Sequence, residues 1–401
     1  MNKREIILFT DKKECCNCSA CENICPKDAI FTHEDDYGFK YPKIDREKCI
    51  TCGLCKKVCA FQNKEEINVP LDTFVAVNKD EKTLLKSASG GAFAALAKLY
   101  LENNGVVYGV TLDNDLNPVH IGIDNIQDLY RLQGSKYVQS DLGNTFKEIK
   151  QHLNEGKGVL FSGVPCQVAG LKGYLMKDYN NLLTVDIICH GVPSAKFFKD
   201  YLSYMEKDLK GKIKEFKFRD KNLGWGLNGS VVYEKDEMLK TKKIYGSESS
   251  YYHYFLNSSC YRENCYVCKY ASESRPSDIT LGDYWGIEAA HPELLGKGKL
   301  KEEKGISVVV ANSEKGKIVI ENCDKFDKFI SDFSKARIKN GQLNEPSKKG
   351  KNYDEVMNAY KNQGYEGVHN LYSKEIGIRK YKNRIKALLP TEIKRVIKTN
   401  M

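Results

Sequence analysis

The residues most able to do chemistry in this chain are cysteines. Cys15, Cys18, Cys21 and Cys25 form a C-x2-C-x2-C-x3-C run followed by Pro26, and Cys49, Cys52, Cys55 and Cys59 repeat it, followed by Ala60. This spacing suits two [4Fe-4S] cubanes. Three thiolates two residues apart wrap one face of a cubane, and the fourth of each run reaches across to the other cluster. Cys15, Cys18, Cys21 and Cys59 are therefore expected to hold one cluster, and Cys49, Cys52, Cys55 and Cys25 the second. Zinc would use cysteines in pairs and leave half of each run without a task. A disulfide framework needs an oxidising compartment. Residues 1–10 carry Lys3 and Arg4, but their apolar stretch covers only residues 6–9, too short for a secretory signal. A reducing, cytoplasmic setting is expected, with the thiols used for metal. Ala60, where a second proline would complete the repeat, should not prevent ligation.

The elements that must position further chemistry follow downstream. Residues 1–68 read as the ferredoxin-like module, with residues 33–41 as the hairpin between its halves and residues 65–70 as a linker. Residues 73–78, 105–110, 158–161 and 182–188 read as strands, and residues 91–101, 167–175 and 195–205 as helices. Strand and helix alternating at this spacing predict parallel βαβ units and an α/β domain. From residue 212 onward, alternation at Ile213, Phe216 and Phe218 and then at residues 231–233 suggests added antiparallel strands. Residues 306–311 and 317–320, joined by Glu314, Lys315 and Gly316, read as a hairpin. The expected fold is thus a mixture of α+β and α/β: a bacterial-type ferredoxin module, then an α/β domain over residues 72–345 with added antiparallel strands.

Five more cysteines fall into this frame. Cys166 and Cys189 each sit at a turn just after a predicted buried strand, and ligands in open α/β sheets bind outside the carboxyl ends of strands. Cys260-x4-Cys265-x2-Cys268 has the plant-type iron–sulfur spacing. Cys166, Cys189, Cys265 and Cys268 are expected to hold a third [4Fe-4S] cluster, with Cys260 as the substitute ligand. The competing reading is that these are ordinary buried cysteines. Cys16 and Cys323 have no partner spacing and are read as structural.

The ordered motifs then resemble a known family. After the cysteine runs come Ser87-Ala-Ser-Gly-Gly-Ala-Phe93, Gly134-Ser-Lys-Tyr-Val-Gln-Ser140, Phe161-Ser-Gly-Val-Pro-Cys-Gln167, Cys189-His-Gly-Val-Pro-Ser194, Phe218-Arg-Asp-Lys221 and Asp278-Ile-Thr-Leu-Gly-Asp-Tyr-Trp-Gly286. Together they resemble the coenzyme F420 hydrogenase/dehydrogenase beta-subunit family over residues 10–345. The resemblance implies an FAD in the α/β domain with an iron–sulfur cluster beside it, and its cluster cysteines fall on Cys166, Cys189, Cys265 and Cys268. His190 and Cys260 depart from the archaeal hydrogenase subunits and resemble bacterial members more closely. Such members often accompany polysaccharide synthesis, which implies a small-molecule or glycan-linked substrate.

The residues themselves lend the flavin some support. Ser89, Gly90 and Gly91 open a predicted helix, where free N–H groups favour a phosphate, although a plain capped turn would look the same. Gly134, Ser135 and Lys136 offer a turn and a cation suited to a pyrophosphate. No G-x-G-x-x-G follows a strand, so nothing points to NAD. His190, next to a proposed cluster ligand, is a candidate proton relay; it could equally cap its helix or bond within its turn. Arg219 and Lys221, with Trp225 nearby, could line an anionic pocket, or share a solvated face with Lys217. Asp278 and Asp283 flank a short strand and could orient a flavin or cap turns.

Charge bounds the remaining possibilities. The formal net charge is +10, but residues 374–401 hold nine Lys/Arg and two acids, which leaves the body nearly balanced. That distribution argues against nucleic acid, and no apolar run is long enough to span a bilayer. Residues 346–401 read as a helical, basic tail. Its residues 377–389 place Ile378, Tyr381, Ile385, Leu388 and Leu389 near one face, which could touch an anionic membrane surface or pack on the body. The sequence reads as a cytoplasmic iron–sulfur flavoprotein oxidoreductase that exchanges electrons with a redox partner protein or subunit. The alternative is a non-catalytic electron-transfer adaptor without flavin.

Overall fold

The computed structural model describes residues 5–63, 67–295 and 300–377. The expected tail residues 378–401, including Ile378, Tyr381, Ile385, Leu388 and Leu389, lie outside the described residues, as do residues 65 and 66 of the expected linker.

The sequence repeat at the N-terminal end is also a backbone repeat. Asn17 and Ser19 flank Cys18 with φ of 55° and 58°, and Thr51 and Gly53 flank Cys52 with φ of 54° and 79°. Left-handed residues on both sides of the middle cysteine turn the chain sharply, and each turn leads into a short helix, Ala20–Asn23 or Leu54–Lys57. Between the halves, β1 (Ile30–Glu34) and β2 (Lys40–Ile44) pair antiparallel with Ile30 opposite Ile44. Asp35 closes that hairpin: its carboxylate accepts from the backbone N–H of Tyr37 and Phe39 at 3.0 and 2.9 Å.

The body is a mixed sheet built from β3 (Asp72–Asn78), β4 (Val106–Leu112), β5 (Pro118–Ile123), β6 (Val159–Gly163) and β7 (Leu182–Ile187). A separate three-stranded antiparallel sheet follows, of β8 (Lys212–Lys217), β9 (Gly229–Lys235) and β10 (Met238–Ile244). The chain then returns to the large sheet through β11 (Ile279–Asp283), β12 (Ser307–Ala311) and β13 (Phe326–Ser331). The large sheet has eight strands in the order β13-β3-β12-β11-β7-β6-β4-β5. Its centre, β11-β7-β6-β4, is parallel, and antiparallel strands extend it on both sides. Helices cover both faces of the parallel centre, so β6 and β7 are largely buried, with Asp186 a buried charge near the end of β7.

The expected hairpin over residues 306–320 does not form. β12 is followed by a helix, Glu314–Asn322, and pairs instead with β11 and β3. Ser313 caps the helix by accepting from the Gly316 N–H at 3.1 Å, and Ile320 is turned into the core. A run of three apolar residues, 318–320, carries too little periodicity to separate strand from helix, and here the cap and the core position of Ile320 decide it.

The ferredoxin module is built into the body. The helix Pro165–Leu175 crosses it with a face of Cys166, Ala169, Gly170 and Gly173. A Cβ on Gly170 would lie 2.6 Å from Cys18 Cβ and 2.7 Å from its Sγ, and one on Gly173 would lie 2.4 Å from the Val58 carbonyl oxygen. Ala60 is buried beside Ala169 and Tyr270, so the residue that breaks the proline repeat is small where the helix comes closest. Lys269 adds bonds to the Ala60 and Asn63 carbonyls at 2.5 and 3.0 Å. Phe39 and Tyr41 of the hairpin join the apolar cluster that also takes in the helix Tyr353–Ile376, which is broken at Gly364.

Gly170→Ala should lower stability by about 1–3 kcal/mol, the usual cost of forcing extra volume into a packed contact. Gly341→Ala, where an added Cβ meets nothing within 4 Å, serves as the control. Denaturant unfolding of the anaerobic protein measures both; equal midpoints would remove Gly170 from the contact.

Candidate functional site

The parallel strands β6, β7 and β11 all end on the same edge of the sheet, and a cavity of roughly 390 Å³ opens there. The end of each strand is shaped locally. After β6, Pro165 occupies the first turn of its helix, where the missing N–H costs nothing, and Gln167 folds back to accept from the Val164 N–H at 3.1 Å. This sets Cys166 in the helix's first turn, on the cavity wall. After β7, Ile188 continues the pairing by donating to the Leu281 carbonyl at 2.9 Å, and Cys189 follows. Gly191 then has φ of 129°, and a Cβ there would lie 2.3 Å from the Tyr261 ring. Its missing side chain lets the 260–268 loop close on the strand end and bring Cys265 and Cys268 to the same wall.

Burial and mutual proximity act on all four thiols. Burial pushes the Cys189 thiol up to about 12, with Cys268 adding to the rise. Burial also raises Cys265, and Cys189 and Cys268 raise it further. Cys166 feels Cys268, Cys189 and Cys265. Thiols grouped this way give up their protons most readily to a metal, because the cation replaces the charge that burial penalises. Cys260 does not join them. It is 1% exposed inside the aromatic cluster with Tyr251, Tyr254 and Tyr261, off the cavity wall.

The N-terminal cysteines also fall into groups that cross between the runs. Cys21 feels Cys18, Cys15 and Cys59, and Cys15 feels Cys18 and Cys59. Cys55 feels Cys52 and Cys25. Cys52 is exposed. Among the described residues, no three His, Cys, Asp or Glu side chains converge on a single-ion site.

Cys16, read as structural, is buried at the join between the module and the body. It lines the cavity, and its thiol is within hydrogen-bond reach of both Cys18 and Cys166. It joins the dicluster module to the strand-end cysteines, a position its sequence spacing did not signal. Cys323 is buried in the apolar layer as expected.

The same cavity is lined by most of the flavin candidates. Ser89, Gly91, Gly134, Ser135 and Lys136 all line the cavity. Gly91 is the N-cap of the helix Ala92–Glu102 with φ of 77°, so no side chain caps that helix. Its first N–H groups are left for another acceptor. Gly90 is not on the wall. A Cβ there would lie 2.3 Å from the Ala76 carbonyl oxygen and 2.4 Å from the Ser307 nitrogen, so β3 and β12 require this glycine. The Lys136 ammonium donates to the Gln133 carbonyl at 2.8 Å, and burial pushes its pKa down to about 7.

His190 lines the same cavity with an exposed side chain. Arg219 and Lys221 turn inward rather than sharing the solvated face of Lys217. Arg219 bonds to Asp283 at 2.5 Å, and Trp225 donates to the other oxygen of that carboxylate at 2.7 Å. Trp225 stacks on Trp285 with ring centres 4.9 Å apart. Lys221 donates to the Ser89 carbonyl at 2.6 Å, and burial, with Arg219 beside it, lowers its pKa to about 7. Asp278 is a cap. It accepts from the Thr184 N–H and hydroxyl at 2.8 and 2.7 Å and from Ser313 at 2.7 Å, away from the cavity. Asp283 is on the wall.

Beneath the strand-end cysteines lies an ion pair that motif reading missed. Arg275 and Asp186 are 1% and 0% exposed and meet at 3.0 Å. Arg275 also donates to the Tyr270 and Ile187 carbonyls at 2.7 and 3.0 Å, tying the segment after Cys268 to the end of β7.

The fold and these cysteine groups define an iron–sulfur electron-transfer protein. Residues 14–63 match the 4Fe-4S dicluster domain, and residues 156–331 match the C-terminal domain of the coenzyme F420 hydrogenase/dehydrogenase beta subunit. The chain thus carries a C-terminal domain of that beta-subunit family and a 4Fe-4S dicluster domain at its N-terminal end. A solved structure of the F420-reducing [NiFe] hydrogenase complex from Methanosarcina barkeri, a xenon derivative, is 18% identical over 67% of this chain and 85% of that one, at a TM-score of 0.43. No curated protein matches. Among the described residues, no helix is long and apolar enough to cross a membrane.

Arg275→Met should cost about 3–5 kcal/mol, because it strands Asp186 as a buried, unpaired charge. Anaerobic denaturant unfolding measures it; a loss below about 1 kcal/mol, the range of an exposed pair, would show that the pair does not brace the cysteine wall.

Proposed function

We propose that this chain is an oxidoreductase that exchanges single electrons with a redox partner at its N-terminal clusters and two electrons with a substrate at a flavin in the cavity. A third [4Fe-4S] cluster would be held by Cys166, Cys189, Cys265 and Cys268 and would supply one-electron steps between the two. One observation carries this reading. Four cysteines from three separate chain segments share a wall of the cavity whose other walls hold an uncapped helix N-terminus and Lys136. An FAD bound there would supply the conversion between two-electron and one-electron chemistry.

The chain's own residues divide the remaining work. Cys52 is the exposed ligand of its run, so it marks where the partner meets the module. Cys15, Cys18, Cys21 and Cys59 hold the inner cluster, which faces the body; Cys49, Cys52, Cys55 and Cys25 hold the outer one. The N–H groups at the start of the Ala92–Glu102 helix and the Gly134–Lys136 turn receive the flavin's pyrophosphate. Ser89 is already engaged, donating to the Ile306 carbonyl at 2.8 Å, so it shapes the turn through its side chain. His190 stands on the cavity wall, where it can pass a proton between solvent and a bound substrate.

Anaerobic purification with iron, sulfide and flavin analysis tests the reading. The expected result is about twelve irons per chain, four for each of three cubanes, with one flavin released on denaturation. Cys189→Ala should lower the iron by about four while the flavin and N-terminal clusters remain. A fully loaded protein without flavin would be the adaptor instead, and eight irons in a flavin-replete sample would remove the third cluster.

Lys136 also predicts a pH dependence. Its ammonium has a pKa of about 7 without an anion beside it. A bound pyrophosphate stabilises the charged form and raises that value, so binding above pH 7 must take up a proton. FAD affinity for the flavin-stripped holoprotein should therefore be strongest below pH 7 and fall as pH rises through it. Calorimetry at pH 8 in two buffers of different ionisation enthalpy reads the proton directly. Lys136→Met should reduce the uptake, and unchanged uptake would assign it to Lys221.

A further inference from the structure

Three arginines are buried near the cavity, and their partners differ. Arg219 has Asp283 at 2.5 Å, and Arg275 has Asp186 at 3.0 Å. Arg262, at 0% exposure the most buried of the three, has no carboxylate partner among the described residues. Its Nε donates to the Cys15 carbonyl at 2.9 Å, its Nη1 reaches Gln139 Oε1 at 3.4 Å, and its Nη2 has no partner. The guanidinium lies over the Tyr41 ring at 4.0 Å and faces the cavity. Burying a charge without an opposite charge is costly, and the faces of Tyr41 at 4.0 Å and Phe39 at 5.9 Å bring no opposite charge, only the attraction of their rings. A counter-charge belongs at this position.

Two cysteine groups meet at Arg262. Its backbone N–H donates to the Val192 carbonyl at 3.0 Å, just past Cys189, and its carbonyl accepts from the Cys265 N–H at 2.9 Å. Its side chain reaches across to the backbone of Cys15. A cubane with four thiolates is a net anion, because its sulfide and thiolate charge exceeds that of its irons. Each electron added increases the negative charge facing the guanidinium.

We infer that Arg262 is the shared counter-ion of the cluster held by Cys15 and the cluster held by Cys265, raising the reduction potential of both. The Cys265 half rests on the third-cluster reading above; the Cys15 half does not. Local charge and hydrogen bonding are among the protein's main controls on cluster potential. A cation between two clusters moves both in the same direction, so it eases electron entry while leaving the step between them nearly level. Arg262 is a positioning and tuning residue that passes no atom to substrate.

Redox titration of the anaerobic holoprotein, followed by electron paramagnetic resonance, tests this. Arg262→Gln keeps a donor for the Cys15 carbonyl but removes the charge; Arg262→Lys keeps the charge and loses the fork. With full iron content, Arg262→Gln should lower both potentials by a factor of about ten or more in the reduction equilibrium, about 59 mV for one electron. Arg262→Lys should stay near wild type. Unchanged potentials in a loaded Arg262→Gln protein overturn the inference, and so does an equal fall in Arg262→Lys, which would make packing the cause. Failure of the third-cluster reading is seen separately, as eight irons in the wild type. The inference then stands or falls on the potential of the Cys15 cluster.

Discussion

Everything at the centre of this molecule depends on how closely one helix can lie against the dicluster module. The helix Pro165–Leu175 presents Ala169, Gly170 and Gly173 to that module, and the approach leaves no room for a Cβ at either glycine. The same helix begins at the end of β6 and carries Cys166 in its first turn. Backbone proximity on this face therefore sets the spacing between the module's cysteines and those of the body. Cys16 fills the remaining gap, between Cys18 and Cys166. Electron transfer needs fixed, short separations, and a contact made through backbone and small side chains has few rotamers that could vary them.

Buried charge organises the rest of the site. Asp186 and Arg275 lock the end of β7 to the segment after Cys268. Arg219 and Asp283 hold the stacked Trp225 and Trp285 at the end of β11. Lys136 and Lys221 are held on backbone carbonyls beside the uncapped helix, each with a pKa lowered to about 7. Paired charges thus brace the strand ends, while Lys136, Lys221 and Arg262 stand on carbonyls, an amide or aromatic rings, none of them in an ion pair among the described residues. The first kind is already neutralised, and the second kind is what a bound anion would complete under the proposed function.

Local structure was legible wherever its signal was strong. The strands at β3, β6 and β7 and the helices after them follow from short buried runs separated by helical periods, and the hairpin of the module follows from its two halves. Residues 306–320 were misread because Lys317, Ile318, Val319 and Ile320 favour a strand by type, whereas the Ser313 cap and the core impose a helix. Gly90 was read as a ligand glycine because it stands in a glycine pair; β3 and β12 are what require it, and only their packing shows that. Arg219 and Lys221 were placed on one face by alternation, but β8 ends at Lys217 and the alternation ends with it.

The sequence by itself determined the dicluster spacing, the α/β order and the two domain matches, because ligand spacing and hydrophobic period are local properties. It also placed Cys166 and Cys189 at neighbouring strand ends, since consecutive βαβ units put them there. Tertiary structure alone decided which cysteines keep company. Cys260 matches the spacing but sinks into an aromatic core, while Cys16, with no spacing at all, lies beside Cys166. It alone revealed Arg262, Arg275 and Asp186 as neighbours of the cysteine wall. These residues meet across 89 positions for the Arg275–Asp186 pair and 247 for Arg262 and Cys15. Nothing in a local pattern encodes such a meeting; it follows from how the strands and the module are packed together.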